Sequence, residues 1–140
     1  MMRKKKTKKP INTRQRMRIS NGHARKWMLD NGYTWIWFKP HGKRKDWVFT
    51  PDGNYYWLDL WGLFDGLALK NTHTIDGSDW FKIIPFQVKT NAWAKEEPIV
   101  KWLDGKDIDH VLVVNVKGVK GRWKVVTRKY SYSYGELKRD

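Results

Sequence analysis

The sequence predicts an α/β (α+β) fold, in which a single domain has a mixed central β-sheet flanked by helices. Three observations indicate this fold. The chain has 140 residues, 40% of them are hydrophobic, and segments with helical and strand-like patterns follow one another along it. Because the chain has no Cys, the composition excludes disulfide frameworks, thiol nucleophiles and thiolate metal sites.

The amino-terminal part of the chain is strongly basic. The first 26 residues hold eleven Lys or Arg and no acidic or aromatic residue. Because charge repulsion and a lack of apolar side chains disfavour folding, we expect residues 1–19 to form a flexible arm and residues 20–140 to form the domain. Ser20 is a typical N-cap residue and Gly32 a typical residue after a helix end, so a first helix is predicted between them.

The central part of the chain is rich in β-favouring residues. A long hairpin loop is predicted at Asn71–Asp79, joining two antiparallel strands. Pro85 marks a bulge or a sheet edge in the second of these strands. The predicted strands are Tyr33–Lys39, Trp47–Phe49, the mostly apolar Phe64–Leu69, and Trp80–Lys89.

A second short helix is predicted from Glu96 to about Gly105, because acidic residues and a proline suit a first helical turn. Two further strands, Val111–Val116 and Trp123–Thr127, are joined by a short glycine-containing connection. Beyond them, tyrosines alternate with serines, which is typical of an edge strand or of an aromatic platform. These tyrosines are Tyr130, Tyr132 and Tyr134.

The net charge of +15 predicts a polyanionic partner, and nucleic acid is the favoured one. A solubilising tail, or a weak contact with an anionic membrane, is the alternative reading of the arm, and a charged hairpin tip is the alternative for residues 41–45. The candidate nucleic-acid-binding residues are Arg3, Lys4, Lys5, Lys6, Lys8, Lys9, Arg14, Arg16, Arg18, His41, Lys43, Arg44 and Lys45.

No apolar stretch approaches the roughly 18 residues that a transmembrane helix needs, so no membrane partner is expected. The basic start is followed by polar residues rather than by the apolar core of a secretory signal. A cytoplasmic, nucleoid-associated protein or a virus-encoded intracellular protein is therefore expected.

One set of residues has the chemistry of a catalytic site. Because side chains alternate along a strand, Gln87 and Lys89 are predicted on one face, and Asp65 lies across from them if the two strands pair. Asp65, Gln87 and the Val88 backbone carbonyl offer oxygen ligands for Mg²⁺, with Mn²⁺ as a substitute, and Lys89 is placed to orient a water. The alternatives are a buried salt bridge or turn for Asp65, and a solvated strand end for Lys89.

The sequence Phe64-Asp65-Gly66, followed by Phe86-Gln87-Val88-Lys89, resembles the Asp and (Glu/Gln)-x-Lys motif of PD-(D/E)xK nucleases. Gln at the middle position is similar to the Mrr-like branch, and the chain length is similar to that of archaeal Holliday-junction resolvases. The resemblance covers roughly residues 20–130. It implies a restriction-endonuclease-like fold, catalytic roles for Asp65, Gln87 and Lys89, and metal-dependent DNA cleavage by a homodimer, in a form that selects branched DNA.

Two features depart from this family. The predicted first helix has no Glu, an acid that many members carry there, and Gln87 brings no negative charge to a metal. Asp59 is a candidate second carboxylate, or else a solvent-facing strand residue. A catalytically inactive nucleic-acid-binding protein with the same fold is therefore the second hypothesis. An RNA-associated protein that stacks bases on its aromatic residues is the third.

Overall fold

The computed structural model describes residues 13–40, 47–49, 55–57, 63–106, 108–133 and 136–140. In these ranges the chain forms two helices and eight strands. The helices are α1 (Thr13–Asp30) and α2 (Glu96–Leu103). The strands are β1 (Tyr33–Phe38), β2 (Trp47–Phe49), β3 (Tyr55–Trp57), β4 (Gly66–Ile75), β5 (Ser78–Thr90), β6 (Val111–Val119), β7 (Arg122–Ser133) and β8 (Glu136–Arg139).

Six of these strands form one mixed sheet in the order β1-β4-β5-β6-β7-β8. β5 and β6 are parallel, and the other neighbouring pairs are antiparallel. The chain makes the parallel connection through α2, since parallel strands need a crossover segment. β2 and β3 form a separate antiparallel pair. The predicted α+β fold with a mixed central sheet is confirmed.

The two helices cover opposite sides of the sheet. Successive side chains of a strand point to opposite faces, so one set of strand residues packs against α1 and the alternate set packs against α2. On the α1 side, Met28 packs with strand residues that include Phe86 and Val114. On the α2 side, Ile99 packs with strand residues that include Val113. Each such buried side chain contributes roughly 1.5–3 kcal/mol of hydrophobic stabilisation.

Helix α1 begins earlier than the sequence predicted. It starts at Thr13, so the predicted N-cap at Ser20 is wrong, and residues 13–19 of the predicted arm are helical. Ser20 lies inside the helix and is 2% exposed, with its Oγ 2.5 Å from Oγ1 of Thr90. The hydroxyl that resembled a cap instead joins the helix to the end of β5. The predicted helix end is confirmed, since Gly32 follows α1 with a φ of +92°.

The hairpin of β4 and β5 is longer than predicted. The predicted loop at Asn71–Asp79 is wrong, because the strands continue to a two-residue turn at Asp76 and Gly77, whose φ angles are 51° and 77°. Left-handed values at both positions match the right-handed twist of paired strands. The tip projects beyond the strands described next to it, and large exposed apolar side chains lie on both sides of the turn. These are Ile75, Trp80, Phe81 and Ile83.

Pro85 lies in the interior of β5, just before pairing with β6 begins at Phe86 and Leu112. The Phe86 carbonyl accepts a hydrogen bond from the β4 side, so the backbone groups of Pro85 face the other way. No ladder bond is lost there, because pairing on that side has not yet started. Of the two expected alternatives, bulge or edge, Pro85 fits the local edge.

The last two predicted strands are confirmed and are longer than expected. β6 and β7 meet at a turn in which Lys120 and Gly121 have φ angles of 49° and 76°. β7 is not a sheet edge, because β8 pairs with its far side. Tyr130 is 1% exposed and belongs to the core, and the edge and platform readings are therefore wrong for it.

Candidate functional site

The candidate site lies where β4 begins beside β5. Asp65 directly precedes β4, rather than lying within an apolar strand as predicted. Its backbone N–H donates to the Phe86 carbonyl at 2.9 Å, and its carbonyl accepts from the Lys39 N–H at 2.8 Å. The backbone of Asp65 is therefore held on both sides, between the end of β1 and the middle of β5.

The Asp65 side chain contacts the backbone of the neighbouring strand. The Val88 N–H donates to Oδ2 of Asp65, with an N to O distance of 2.6 Å. The carboxylate thus takes the place of a strand carbonyl at the point where β4 has not yet begun. Since the N–H and C=O of a strand residue point to the same neighbour, the Val88 carbonyl faces the same side as this carboxylate.

Gln87 and Lys89 flank Val88 and point to the α2 side of the sheet, opposite to Phe86 and Val88. Lys89 is exposed. The Oε1 atom of Gln87 is buried and has no hydrogen-bond partner, and the same is true of Oδ1 of Asn115 on the same side of β6. A buried acceptor without a donor costs about 1–3 kcal/mol. Both of these oxygens lie buried on the α2 side of the sheet, close to Lys89 along β5 and β6.

The donor set has the right chemistry for a hard divalent cation, but its charge is low. Asp65, Gln87 and the Val88 carbonyl supply oxygens, and only the first of them is ionised. In the part of the chain that the structure describes, no three His, Asp or Glu residues lie close enough together to hold a metal ion. Asp59, the candidate second carboxylate, lies outside the described residues.

Comparisons with family models, curated proteins and solved structures find no match to this chain. Its site must therefore be interpreted from its own geometry.

The predicted nucleic-acid-binding residues fall into two groups. Arg14, Arg16 and Arg18 lie in α1, and the side chains of the last two are exposed. The others lie outside the described residues, namely Arg3, Lys4, Lys5, Lys6, Lys8, Lys9, His41, Lys43, Arg44 and Lys45. Among the described helices, none is long and apolar enough to cross a membrane.

Sequence reasoning missed a chain of polar side chains at the other end of the sheet, which runs from the buried Tyr33 and His110 to the exposed Asp109 and Lys82. The Tyr33 hydroxyl lies 2.7 Å from Nε2 of His110, and Nδ1 of His110 lies 2.6 Å from Oδ2 of Asp109. Lys82 donates to Oδ1 of Asp109 at 2.8 Å. With Nδ1 donating to Asp109, Nε2 of the neutral imidazole accepts from the Tyr33 hydroxyl, and burial favours this neutral form by lowering the pKa of His110. The only sequence signal was a His immediately before an apolar strand.

The pKa values of this polar chain follow from burial and charge. Burial, with the negative charge of Asp109, raises the pKa of Tyr33 to about 12. Burial also lowers the pKa of His110, against the opposing influence of Asp109. For Asp109, burial is outweighed by hydrogen bonds from Lys82 and His110, which leave the pKa of this carboxyl below its usual value. A tyrosine that is 1% exposed and hard to ionise is a structural group rather than a nucleophile.

Sequence reasoning also missed a group of basic residues on the α2 side of β5, β6 and β7. They are Lys89, of which only the role beside Gln87 was predicted, and Lys117, Arg122, Lys124 and Arg128. The alternation along β6 and β7 could have revealed this group. Doing so would have required the correct hairpin register, which the turn at Lys120 and Gly121 sets.

Proposed function

We propose that this protein is a metal-dependent DNA endonuclease with a restriction-endonuclease-like fold, which hydrolyses phosphodiester bonds. The hydrogen bond from Val88 to the Asp65 carboxylate carries this proposal. It holds the acid beside the segment of β5 that Gln87 and Lys89 flank, so one acid, one amide and one amine adjoin the same stretch of backbone. The mixed sheet with one helix on each side is compatible with such a fold.

In this proposal Asp65, Gln87 and the Val88 carbonyl hold Mg²⁺ or Mn²⁺. When bound, the metal would polarise the phosphate and lower the pKa of a water. Lys89 orients the attacking water and stabilises negative charge as it develops on the phosphate. Its exposure leaves the ammonium accessible to a substrate. Branched DNA is the proposed substrate. A homodimer is the proposed assembly, and sedimentation of the protein, alone and with DNA, measures this oligomeric state.

Two substitutions test the proposed site. Asp65→Asn removes the charge but keeps an oxygen that can accept from the Val88 N–H, and Lys89→Ala changes an exposed side chain. Each should lower the rate of metal-dependent cleavage on the order of a hundredfold or more while leaving DNA affinity nearly unchanged. The measurement is product formation from branched, single-stranded and linear DNA with Mg²⁺, Mn²⁺ or EDTA.

The matched controls are Asp104→Asn and Lys95→Ala, which remove the same charges at exposed positions near the ends of α2. Both should cleave like the original protein. Cleavage that is unchanged in either Asp65→Asn or Lys89→Ala would refute the proposed site.

A catalytically inactive nucleic-acid-binding protein is the second candidate, and one specific observation favours it. Asp65 is the single ionised ligand among the described residues of the site, and Asp30, at the far end of α1, is the single acid in that helix. A site with so little negative charge binds a divalent cation weakly. Binding of DNA without metal-dependent products in the same assay would support this candidate.

A further inference from the structure

Five cations share one face of the sheet. We name the residues Lys89, Lys117, Arg122, Lys124 and Arg128 the basic face. Residues that are opposite each other in a ladder lie on the same side, and Lys117 pairs with Lys124. The other members follow from the same registers: Lys89 opposes Asn115, Arg128 opposes Val113, and Arg122 opposes Val119. All of them therefore lie on the α2 side.

Helix α2 leaves this end of the sheet uncovered. Its buried residues Ile99 and Leu103 pack with Val111 and Tyr130, at the opposite end of β6 and β7. Lys89, Arg122 and Lys124 are exposed, and the other two members of the basic face are half-buried. The basic face thus lies beyond the part of the sheet that α2 covers, and three of its members are exposed.

The strand segments that carry the basic face contain no acidic residue. Residues 87–90, 111–119 and 122–133, which form these parts of β5, β6 and β7, contain no Asp or Glu. Like charges directly opposite each other in a ladder are destabilising, because their Cβ atoms lie only about 5 Å apart. Lys117 and Lys124 therefore repel one another in the free protein. A polyanion lying over the strands would relieve this repulsion.

Arg128 is already oriented for such a ligand. The Arg128 guanidinium carbon lies 3.9 Å from the centre of the Trp93 ring. Stacking on an aromatic ring fixes the plane of the guanidinium while its N–H edges stay available, so little entropy is lost when a phosphate binds. Lys89 lies on the other side of β6 from Arg128, and its neighbour Val88 contacts the Asp65 carboxylate.

We infer that the basic face binds the phosphate backbone of DNA and leads it to the site at Asp65. The inference rests on the proposed function for the identity of the polyanion as DNA. Charge complementarity and the absence of acids along these strands support it. The basic face would act in addition to the candidate DNA-binding residues Arg16 and Arg18 of α1, and it would position the scissile phosphate next to Lys89.

The salt dependence of DNA binding tests this inference. Each lost phosphate contact should reduce the magnitude of the slope of log K against log salt by about 0.9. The double variant Lys117→Ala/Lys124→Ala should therefore lower it by about 1.8. The control Lys26→Ala/Lys138→Ala removes the same charge from α1 and from the opposite side of β8, and it should keep the original slope. Fluorescence anisotropy with a labelled duplex gives both slopes.

A second measurement uses the unmodified protein. Bound DNA should protect Lys89, Lys117 and Lys124 from amine acetylation several-fold more than Lys26 and Lys138, as read by mass spectrometry. Equal slopes in the two double variants, equal protection, or no DNA binding at all would overturn the inference. A smaller slope in Lys117→Ala/Lys124→Ala together with selective protection, but without any DNA cleavage, would support DNA binding by the basic face and contradict the proposed nuclease function.

Discussion

The hydrogen bond that joins Tyr33 to His110, together with burial, favours the neutral form of His110 in the folded protein. The Nε2 atom of His110 must stay unprotonated to accept from the Tyr33 hydroxyl, and burial lowers the pKa of this imidazole. Protonation would place a charge next to a hydroxyl that can no longer donate to it. Nearby positive charges on Lys70 and Lys129 oppose protonation further.

We therefore predict that acid destabilises the protein through His110. The unfolded chain binds this proton more readily than the folded protein, so the free energy of unfolding should fall as pH decreases through the ordinary histidine pKa of about 6.5. Urea unfolding at several pH values measures the effect. A His73→Gln variant, which changes an exposed histidine, should keep this dependence, whereas His110→Gln should weaken it. An identical dependence in both variants would contradict the assignment.

The orphaned oxygens of Gln87 and Asn115 illustrate a different residue-scale effect. Asn115 is 1% exposed and lies among valines in β6, where a β-branched apolar residue would pack without a polar cost. A polar residue whose oxygen has no partner lowers stability. This oxygen lies on the same side of the sheet as Lys89, which Asn115 opposes in the ladder between β5 and β6.

At the scale of elements, the close packing of the neighbouring strands β1, β4 and β5 depends on one glycine. Gly66 pairs with Phe38 on one side and with Phe86 on the other. A Cβ atom at this position would collide with the Trp37 carbonyl oxygen and would lie 2.7 Å from a ring carbon of Phe86. The close approach of Gly66 to Trp37 and Phe86 also sets the position of Asp65, the preceding residue.

We predict that Gly66→Ala destabilises the protein by about 1–3 kcal/mol or more, because backbone atoms must move to admit the methyl group. Gly22→Ala is the matched control. Gly22 lies in α1, and no neighbouring atom lies within 4 Å of the point that its added methyl group would occupy, so the same change should stabilise the protein by up to about 1 kcal/mol. Thermal unfolding of both variants measures the difference. Equal effects of the two substitutions would argue against the close approach at Gly66.

The elements that were predicted correctly are those with a buried face. β1 is a run of β-favouring residues, α2 buries Ile99 and Leu103 one helical turn apart, and the buried residues 111–116 of β6 are apolar except for Asn115. Each of these patterns appears in the sequence. Residues 71–75 of β4 are all exposed, so they lack the pattern and resembled a loop. The first turns of α1 are similarly exposed between residues 15 and 18, which concealed the helix start.

The candidate site was predictable only in part. Alternation along β5 correctly places Gln87 and Lys89 on one face, because the strand is regular there. The contact between Asp65 and the Val88 N–H could not be predicted, since it depends on a side chain lying in the plane of the sheet. The basic face depends on the register of β6 and β7, which no short motif reports.

At the scale of the whole molecule, the net charge and the projecting hairpin have opposite effects on self-association of the protein. At the tip, β4 beyond Lys70 has left its pairing with β1, and β5 has not yet met β6. Unpaired strand edges with apolar side chains such as Trp80 and Ile83 readily pair with another chain. The net charge of +15 keeps molecules apart by repulsion.

Colloidal stability in this protein should therefore depend on ionic strength. Added salt shortens the Debye length from about 30 Å at 0.01 M to about 10 Å at 0.1 M. The repulsion between protein molecules therefore weakens, while the attraction between apolar hairpin edges is not screened. We predict that turbidity rises with salt in the absence of nucleic acid, and that Trp80→Lys/Ile83→Lys suppresses the rise. Light scattering measures both. Clear solutions of the original protein at every salt concentration would show that the bare hairpin edges do not drive self-association.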